Sequence, residues 1–110
     1  MKKQYAVIGL GRFGSSVAKT LTELGCEVLA IDNDDEKVKT VSDFVTHAVV
    51  LDAMDEKALR SVGVPNVDTA VVSIGENIEA SILVVMILRE IGIKHIVAKA
   101  VTSLHGRVLE

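Results

Sequence analysis

Tryptophan is absent from this sequence, and its other rings amount to one tyrosine and two phenylalanines. The interior therefore has to be aliphatic, built from Val, Ile, Leu and Ala, which is the composition of parallel strands covered on both faces. Hydrophobic residues fill 49% of the 110 positions, enough for one core, and the chain is too short for a second catalytic domain. The single cysteine, Cys26, excludes an internal disulfide; it stands just before an apolar run and is expected to be a small core residue in a reducing compartment. A surplus of basic residues is also missing. With a net charge of −3 and no basic stripe interleaved with aromatics, nucleic acid is excluded as a partner, which leaves small anions and proteins. The longest wholly apolar run, Ile82 to Leu88, falls far short of the ~20 residues that cross a bilayer. Lys2 and Lys3 precede an apolar stretch that glycines and Arg12 soon interrupt, which is not the pattern of a signal peptide. A cytoplasmic protein is expected. The sequence has no repeats, low-complexity tracts or internal linkers.

Catalytic signatures are equally scarce. His47, His95 and His105 fall on different elements without HxxxH spacing or a cysteine companion, so none is expected to hold a metal. There is no GxSxG, and Cys26, expected to be buried on a strand, has no evident base. The acids Asp34, Asp35 and Glu36 are expected to form the solvated first turn of a helix, favoured by its dipole, and not a metal site. Nothing in the pattern argues for a catalysed reaction.

What is present is concentrated between Tyr5 and Asp32. An apolar run, Tyr5 to Ile8, leads into Gly9-Leu10-Gly11-Arg12-Phe13-Gly14. A helical pattern follows, with Phe13, Val17, Leu21 and Leu24 on its inner face and Gly25 as its cap. A second apolar run, Val28 to Ile31, ends on Asp32. This succession of strand, glycine turn, helix, strand and acid predicts a Rossmann-like, doubly wound parallel α/β sheet. Gly9 permits the tight turn, Gly11 lets backbone approach a pyrophosphate, and Gly14 lets the helix pack near the sheet. Unpaired amides at the helix start, carrying about +0.5 of a charge, would face the phosphates. Asp32, about 20 residues beyond the glycines, is placed to accept from both ribose hydroxyls and to repel a 2′-phosphate. The stretch is built for an adenosine-containing nucleotide, with NADP disfavoured. Arg12 has two readings, a solvated side chain or a phosphate contact, since a cation at a helix N-terminus opposes the dipole unless an anion is near.

Further along, Asn33 and Glu36 have capping-box spacing, and Val38 and Val41 form the inner face of a short helix. A third strand, Thr46 to Leu51, stops at Asp52-Ala53. Ligands of doubly wound sheets bind outside the carboxyl ends of strands, so Asp52 and Ala53 would lie near Asp32 and reach the adenine edge. Asp52 is equally a candidate helix N-cap. A helix through Ala58, Leu59 and Val62 to Gly63, a turn at Pro65-Asn66, and a strand from Thr69 to Ile74 ending in Gly75 follow. A fifth strand, His95 to Ala98, leads to Lys99, and Ser103 can cap a last helix through Leu104, Val108 and Leu109. The chain stops inside that pattern at Glu110, which reads as the edge of a longer one.

Between these last strands, Asn77 can cap a helix from Ile78 to Ile91 in which Ile82 to Leu88 is apolar around the whole circumference. A helix packed on one side of a sheet needs a stripe of roughly 100°. The surplus, at ~1.5 to 3 kcal/mol per aliphatic side chain, is too much to leave in water. A subunit interface in a symmetric dimer is expected.

The segments YAVIGLGRFG, EVLAID, THAVVLDAMDE, TAVVSIGENIEAS, HIVAKA and LHGRVLE cover nearly the whole chain. Jointly they closely resemble the RCK or KTN (TrkA N-terminal) nucleotide-binding domain of bacterial potassium-uptake regulatory subunits of the TrkA and KtrA type. The resemblance implies one domain over residues 1–110, binding ATP and ADP or NAD(H). It puts Gly9, Gly11 and Gly14 on the phosphates, with Leu10 and Phe13 among the nucleotide-binding residues and Arg12 reaching phosphate across a dimer. It puts Asp32 on the ribose with Asn33 and Lys37 beyond it, and Asp52 and Ala53 near the base. Ile74, Gly75 and Glu76 would border the nucleotide, and Lys99 is a further phosphate candidate. It also implies a cytosolic homodimer assembling into an octameric ring beneath an integral-membrane potassium-translocating subunit. Domains of this family continue into a sixth strand and a second, smaller domain, both expected beyond Glu110. Because the glycine motif begins just after Met1, the domain is expected to open its own polypeptide as a separate peripheral subunit. On this reading the chain is a gating module. Two other readings stand beside it: a fragment of an NAD-dependent dehydrogenase, and a structural dimerisation module with an empty pocket.

Overall fold

The computed structural model describes residues 3–74 and 78–99. Its elements are β1 (Gln4–Ile8), α1 (Arg12–Glu23), β2 (Glu27–Asp32), α2 (Asp35–Ser42), β3 (His47–Val50), α3 (Glu56–Ser61), a 3₁₀ turn (Val64–Asn66), β4 (Thr69–Val72), α4 (Ile78–Ile91) and β5 (His95–Ala98). The strands form one sheet in the order β3-β2-β1-β4-β5, and each neighbouring pair is parallel. Winding runs outward from β1 to β3 and then crosses back to β4 on the other side of β1. The expected doubly wound, Rossmann-like sheet is what forms. Its topological switch point lies between the carboxyl ends of β1 and β4, where Ile8 is level with both Ile31 and Val72.

The near-continuous apolar strands follow from burial on both faces. Ala6, Ile8, Leu29, Ile31, Ala70 and Val72 point to one side, where Leu59 of α3 and Val84 and Leu88 of α4 cover them. Val7, Val28, Ala30 and Val71 point to the other, against Ala18 of α1 and Val38 and Val41 of α2. The alternation within each strand is the period of two expected of a pleated chain. The two helix layers therefore hold the strand ends, and the turns after them, in fixed places.

Several local expectations need correction. The inner face of α1 is not Phe13 and Leu24, which are 39% and 73% exposed, but Gly14 and Ala18, flanked by half-buried Val17 and Leu21. A helix brought this close to the sheet makes its contact through its smallest residues, and the ring next to Gly14 is turned away. Cys26 is half-buried, and it precedes β2 in a turn where its amide donates to the Leu21 carbonyl at 3.0 Å. The N-cap of α2 is Asp34, whose Oδ1 accepts from the Glu36 amide at 3.0 Å, and not Asn33. Likewise the N-cap of α3 is Asp55, whose Oδ1 accepts from the Ala58 amide, and not Asp52. β3 and β4 are shorter than predicted, ending at Val50 and Val72. Helix α4 has the predicted bounds. Gly92 ends it at φ +104°, and its amide donates to the Leu88 carbonyl. Asn77 and the predicted last helix from Ser103 lie outside the described residues, as does His105.

Candidate functional site

Gly9 follows β1 at φ +95°, a conformation that side chains rarely adopt. Its amide donates to the Ile31 carbonyl at 2.8 Å, and a Cβ there would sit 2.2 Å from the Ser73 carbonyl oxygen. The first turn of α1 lies directly on this loop, because a Cβ at Gly14 would be 1.8 Å from the Gly9 carbonyl oxygen. A Cβ at Gly11, the N-cap of α1, would meet no protein atom within 4 Å. Two of the glycines are thus demanded by the fold itself. The third faces open space.

Asp32, at the end of β2, is fixed by the backbone on both sides. Its Oδ2 accepts from the Leu10 amide at 2.8 Å, and its Oδ1 accepts from the Asp34 amide at 2.9 Å. A carboxylate offers about four lone-pair positions, so each oxygen keeps one for a further donor. The acid also ties the glycine turn to the β2–α2 loop. The sequence did not signal this second function, since a bond from Leu10 to a residue 22 positions away follows only from the register of β1 and β2.

A cavity of about 110 Å³ opens at this edge. It brings together the predicted residues Gly9, Asp32, Asn33, Asp52, Ala53 and Ile74. Ile8, Ile31, Leu51 and Met54 complete it with Ala80 and Val84 from the first turns of α4. Met54 was not among the expected residues. Asp52 Oδ1 accepts from the Met54 amide at 2.9 Å, an Asx turn that puts this exposed thioether at the rim. The α4 residues were missed because the chain reaches them only through the crossover after β4. The cavity is smaller than the ~300 Å³ of the smallest typical ligand pocket, so it suits one end of an extended ligand. A second cavity, of about 190 Å³, lies at the amino ends of β1 and β2 beside Gln4, Glu27 and His47. That is the wrong edge for a doubly wound sheet, and the Gln4 amide there is already taken by Asp68 Oδ2 at 2.7 Å.

Leu10, Gly11, Arg12, Phe13 and Gly14 stand outside the 110 Å³ cavity, on the turn that leads from it into α1. Arg12 is exposed and makes no ion pair among the described residues, and the first turn of α1 carries no acid. Lys99, just beyond β5, is held by its amide on the Val72 carbonyl at 2.9 Å. Its Nζ lies 5.2 Å from the centre of the Phe13 ring. Lys37 is on the exposed face of α2 and does not line the cavity. Gly75 and Glu76 lie outside the described residues. Among the described residues no group of three or more His, Cys, Asp or Glu could hold a metal, and His47 and His95 are exposed on edge strands. No helix among them is long and apolar enough to cross a membrane.

Sheet order, glycine turn and the acid closing β2 define a Rossmann-like α/β domain. The TrkA-N domain model matches residues 5–110. The chain belongs to the TrkA-N family. It is 50% identical over 109 residues to Ktr system potassium uptake protein C of Bacillus subtilis (strain 168), covering 99% of this chain and 49% of that one. The chain spans about half the length of the curated relatives it matches. Among solved structures it resembles the NAD(P)-binding domain of an exopolyphosphatase-related protein from Archaeoglobus fulgidus (TM-score 0.80, 25% identity, 97% of this chain and 80% of that one). The AMP-bound Kef C-terminal domain of Shewanella denitrificans shares the fold (TM-score 0.79, 21% identity, 94% of this chain and 62% of that one).

Proposed function

We propose that this chain is the nucleotide-binding domain of a regulatory subunit that controls a potassium-translocating membrane protein and catalyses no reaction. The observation that carries the reading is Asp32, fixed by two amides at the mouth of the cavity with one lone pair left on each oxygen. Ribose hydroxyls of ATP, ADP or NAD(H) would donate to it, and the adenine would lie against Asp52, Ala53 and Met54. The phosphates would run out over the open space above Gly11 to the α1 amides, Arg12 and Lys99. The AMP-bound state of the Shewanella neighbour and the NAD(P)-binding description of the Archaeoglobus one both favour an adenosine ligand.

The 50% identity to a Ktr potassium uptake protein across nearly the whole chain supports the regulatory part. The domain would occupy residues 1–110 of a longer polypeptide and dimerise through the exposed side of α4. In the full protein it would join an octameric ring at the cytoplasmic face of its membrane partner. A ligand shifts such an assembly only through different affinities for its two states. Asp32 meets the same ribose in ATP and ADP, so the phosphate end must supply the difference.

Calorimetric competition among ATP, ADP and NADH tests the ligand. Micromolar adenine nucleotide binding that Asp32→Ala abolishes is expected; equal binding by the variant would remove the acid from the site. Hydride transfer to or from any hydroxy acid would point instead to a dehydrogenase fragment.

A further inference from the structure

We infer that Phe13 is a positioning residue for the nucleotide's charged tail: its ring holds the Lys99 ammonium at the start of α1, ready for a phosphate. The inference rests on the nucleotide reading above.

The chain has two phenylalanines, and they are used in opposite ways. Phe44 packs against the core cluster beneath α1 and α2. Phe13 sits at the second position of α1, outside the core, with the Lys99 Nζ 5.2 Å from its centroid. That distance is within the ~6 Å over which the negative face of a ring attracts a cation. The two residues come from opposite ends of the described chain. They meet because β5 lies beside β4 and β4 beside β1, with the Lys99 amide anchored on the Val72 carbonyl.

The charge arrangement calls for an anion. Arg12 and Phe13 are the first two residues of α1, so Arg12 and the Lys99 held on the Phe13 ring both belong to its N-terminal end, and the first turn of α1 carries no acid. Among the described residues neither cation makes an ion pair. A cation at a helix N-terminus is opposed by the dipole, so Lys99 would swing into water if nothing held it there. The Phe13 face supplies that hold without neutralising the charge, which an aspartate would do. A lysine already confined loses less rotamer freedom when a phosphate arrives. The gain belongs to ligands with a diphosphate tail and not to adenosine alone, whose base and sugar lie toward Asp52 and Asp32.

Calorimetry of the full chain with ADP and with adenosine tests this. Phe13→Leu is expected to weaken ADP binding about three- to tenfold, the cost of confining one long side chain anew. Adenosine binding is expected to stay at the parent value. Phe13→Tyr, which keeps the ring face, should bind ADP like the parent. In a Lys99→Met background Phe13→Leu should add no further loss, since its partner is already gone. Unchanged ADP affinity in Phe13→Leu, an equal loss for adenosine, or additive losses with Lys99→Met would each overturn the inference. If the parent binds both ligands and Phe13→Leu matches it, only the role of Phe13 falls. If the parent binds neither, the nucleotide reading falls and takes this one with it.

Discussion

The Leu10 amide donates to Oδ2 of Asp32 across 2.8 Å, so the acid expected to hold a ribose also holds the glycine turn in place. Oδ1 does the same for the next loop through the Asp34 amide. Leu10 is 3% exposed, so its amide has little access to water when its acceptor is removed.

Asp32→Ala should therefore cost stability as well as binding. Leaving a buried donor unsatisfied costs about 1–3 kcal/mol, readable as a lower urea midpoint with unchanged slope. Adenosine affinity should fall in the same variant. Against the parent protein, NADPH should bind at least about tenfold more weakly than NADH, because its 2′-phosphate faces the carboxylate. Equal affinities for the two would place the ribose elsewhere.

Gly14 and Gly11 should separate folding from binding. An alanine at Gly14 drives its Cβ to 1.8 Å from the Gly9 carbonyl oxygen, and α1 must back away from the sheet. A loss of about 2–4 kcal/mol is expected, in the range of overpacking within a closely packed interior. At Gly11 the new methyl meets no protein atom within 4 Å, so stability should stay within about 0.5 kcal/mol. Nucleotide affinity should nonetheless drop, because the open space above Gly11 is where a phosphate would come closest. Denaturation and calorimetry on both variants give the comparison; an intact Gly11→Ala affinity would move the phosphates off this turn.

Much of this was legible in the sequence because periodicity and the glycine motif report strongly on local geometry. The apolar strands, the GLGRFG turn and the bounds of α4 follow from such short-range signals. What was misread depends on distance between elements. Phe13 satisfies the spacing of an inner helical face, but the approach of α1 to Gly9 leaves the contact to Gly14 and Ala18. Asn33 satisfies capping spacing, yet Asp34 takes the cap because Asp32 Oδ1 has already bound its amide. Ala80 and Val84 enter the cavity by way of the crossover after β4, which no local pattern encodes, whereas Met54 arrives through the Asx turn at Asp52, one residue beyond the predicted pair.

Helix α4 divides into two faces with opposite expected consequences. Leu88 is fully buried against the sheet, and Leu88→Ala should lose about 2–5 kcal/mol of stability. On the far side Ile82, Leu83 and Met86 are 48%, 48% and 57% exposed. Met86→Glu should leave the far-UV spectrum and fold intact while shifting a sedimenting dimer to monomer. Should the parent sediment as a monomer at all accessible concentrations, the exposed face serves some other contact.

Arg12 bears on how the domain could tell one nucleotide from another. ATP and ADP offer Asp32 and the cavity the same adenosine, so those residues cannot rank them. Arg12 is exposed in the first turn of α1, unpaired among the described residues, and adjacent to the open space above Gly11. A charge-assisted hydrogen bond from it to a terminal phosphate would contribute about 1.5–3 kcal/mol. Arg12→Ala should thus weaken ATP at least about tenfold, weaken ADP less, and leave adenosine alone. The ratio of ATP to ADP affinity, measured by competition in parent and variant, is the deciding quantity. A ratio that survives the substitution would assign discrimination to Lys99 or to a second protomer, and would leave Arg12 a solvated side chain on the helix.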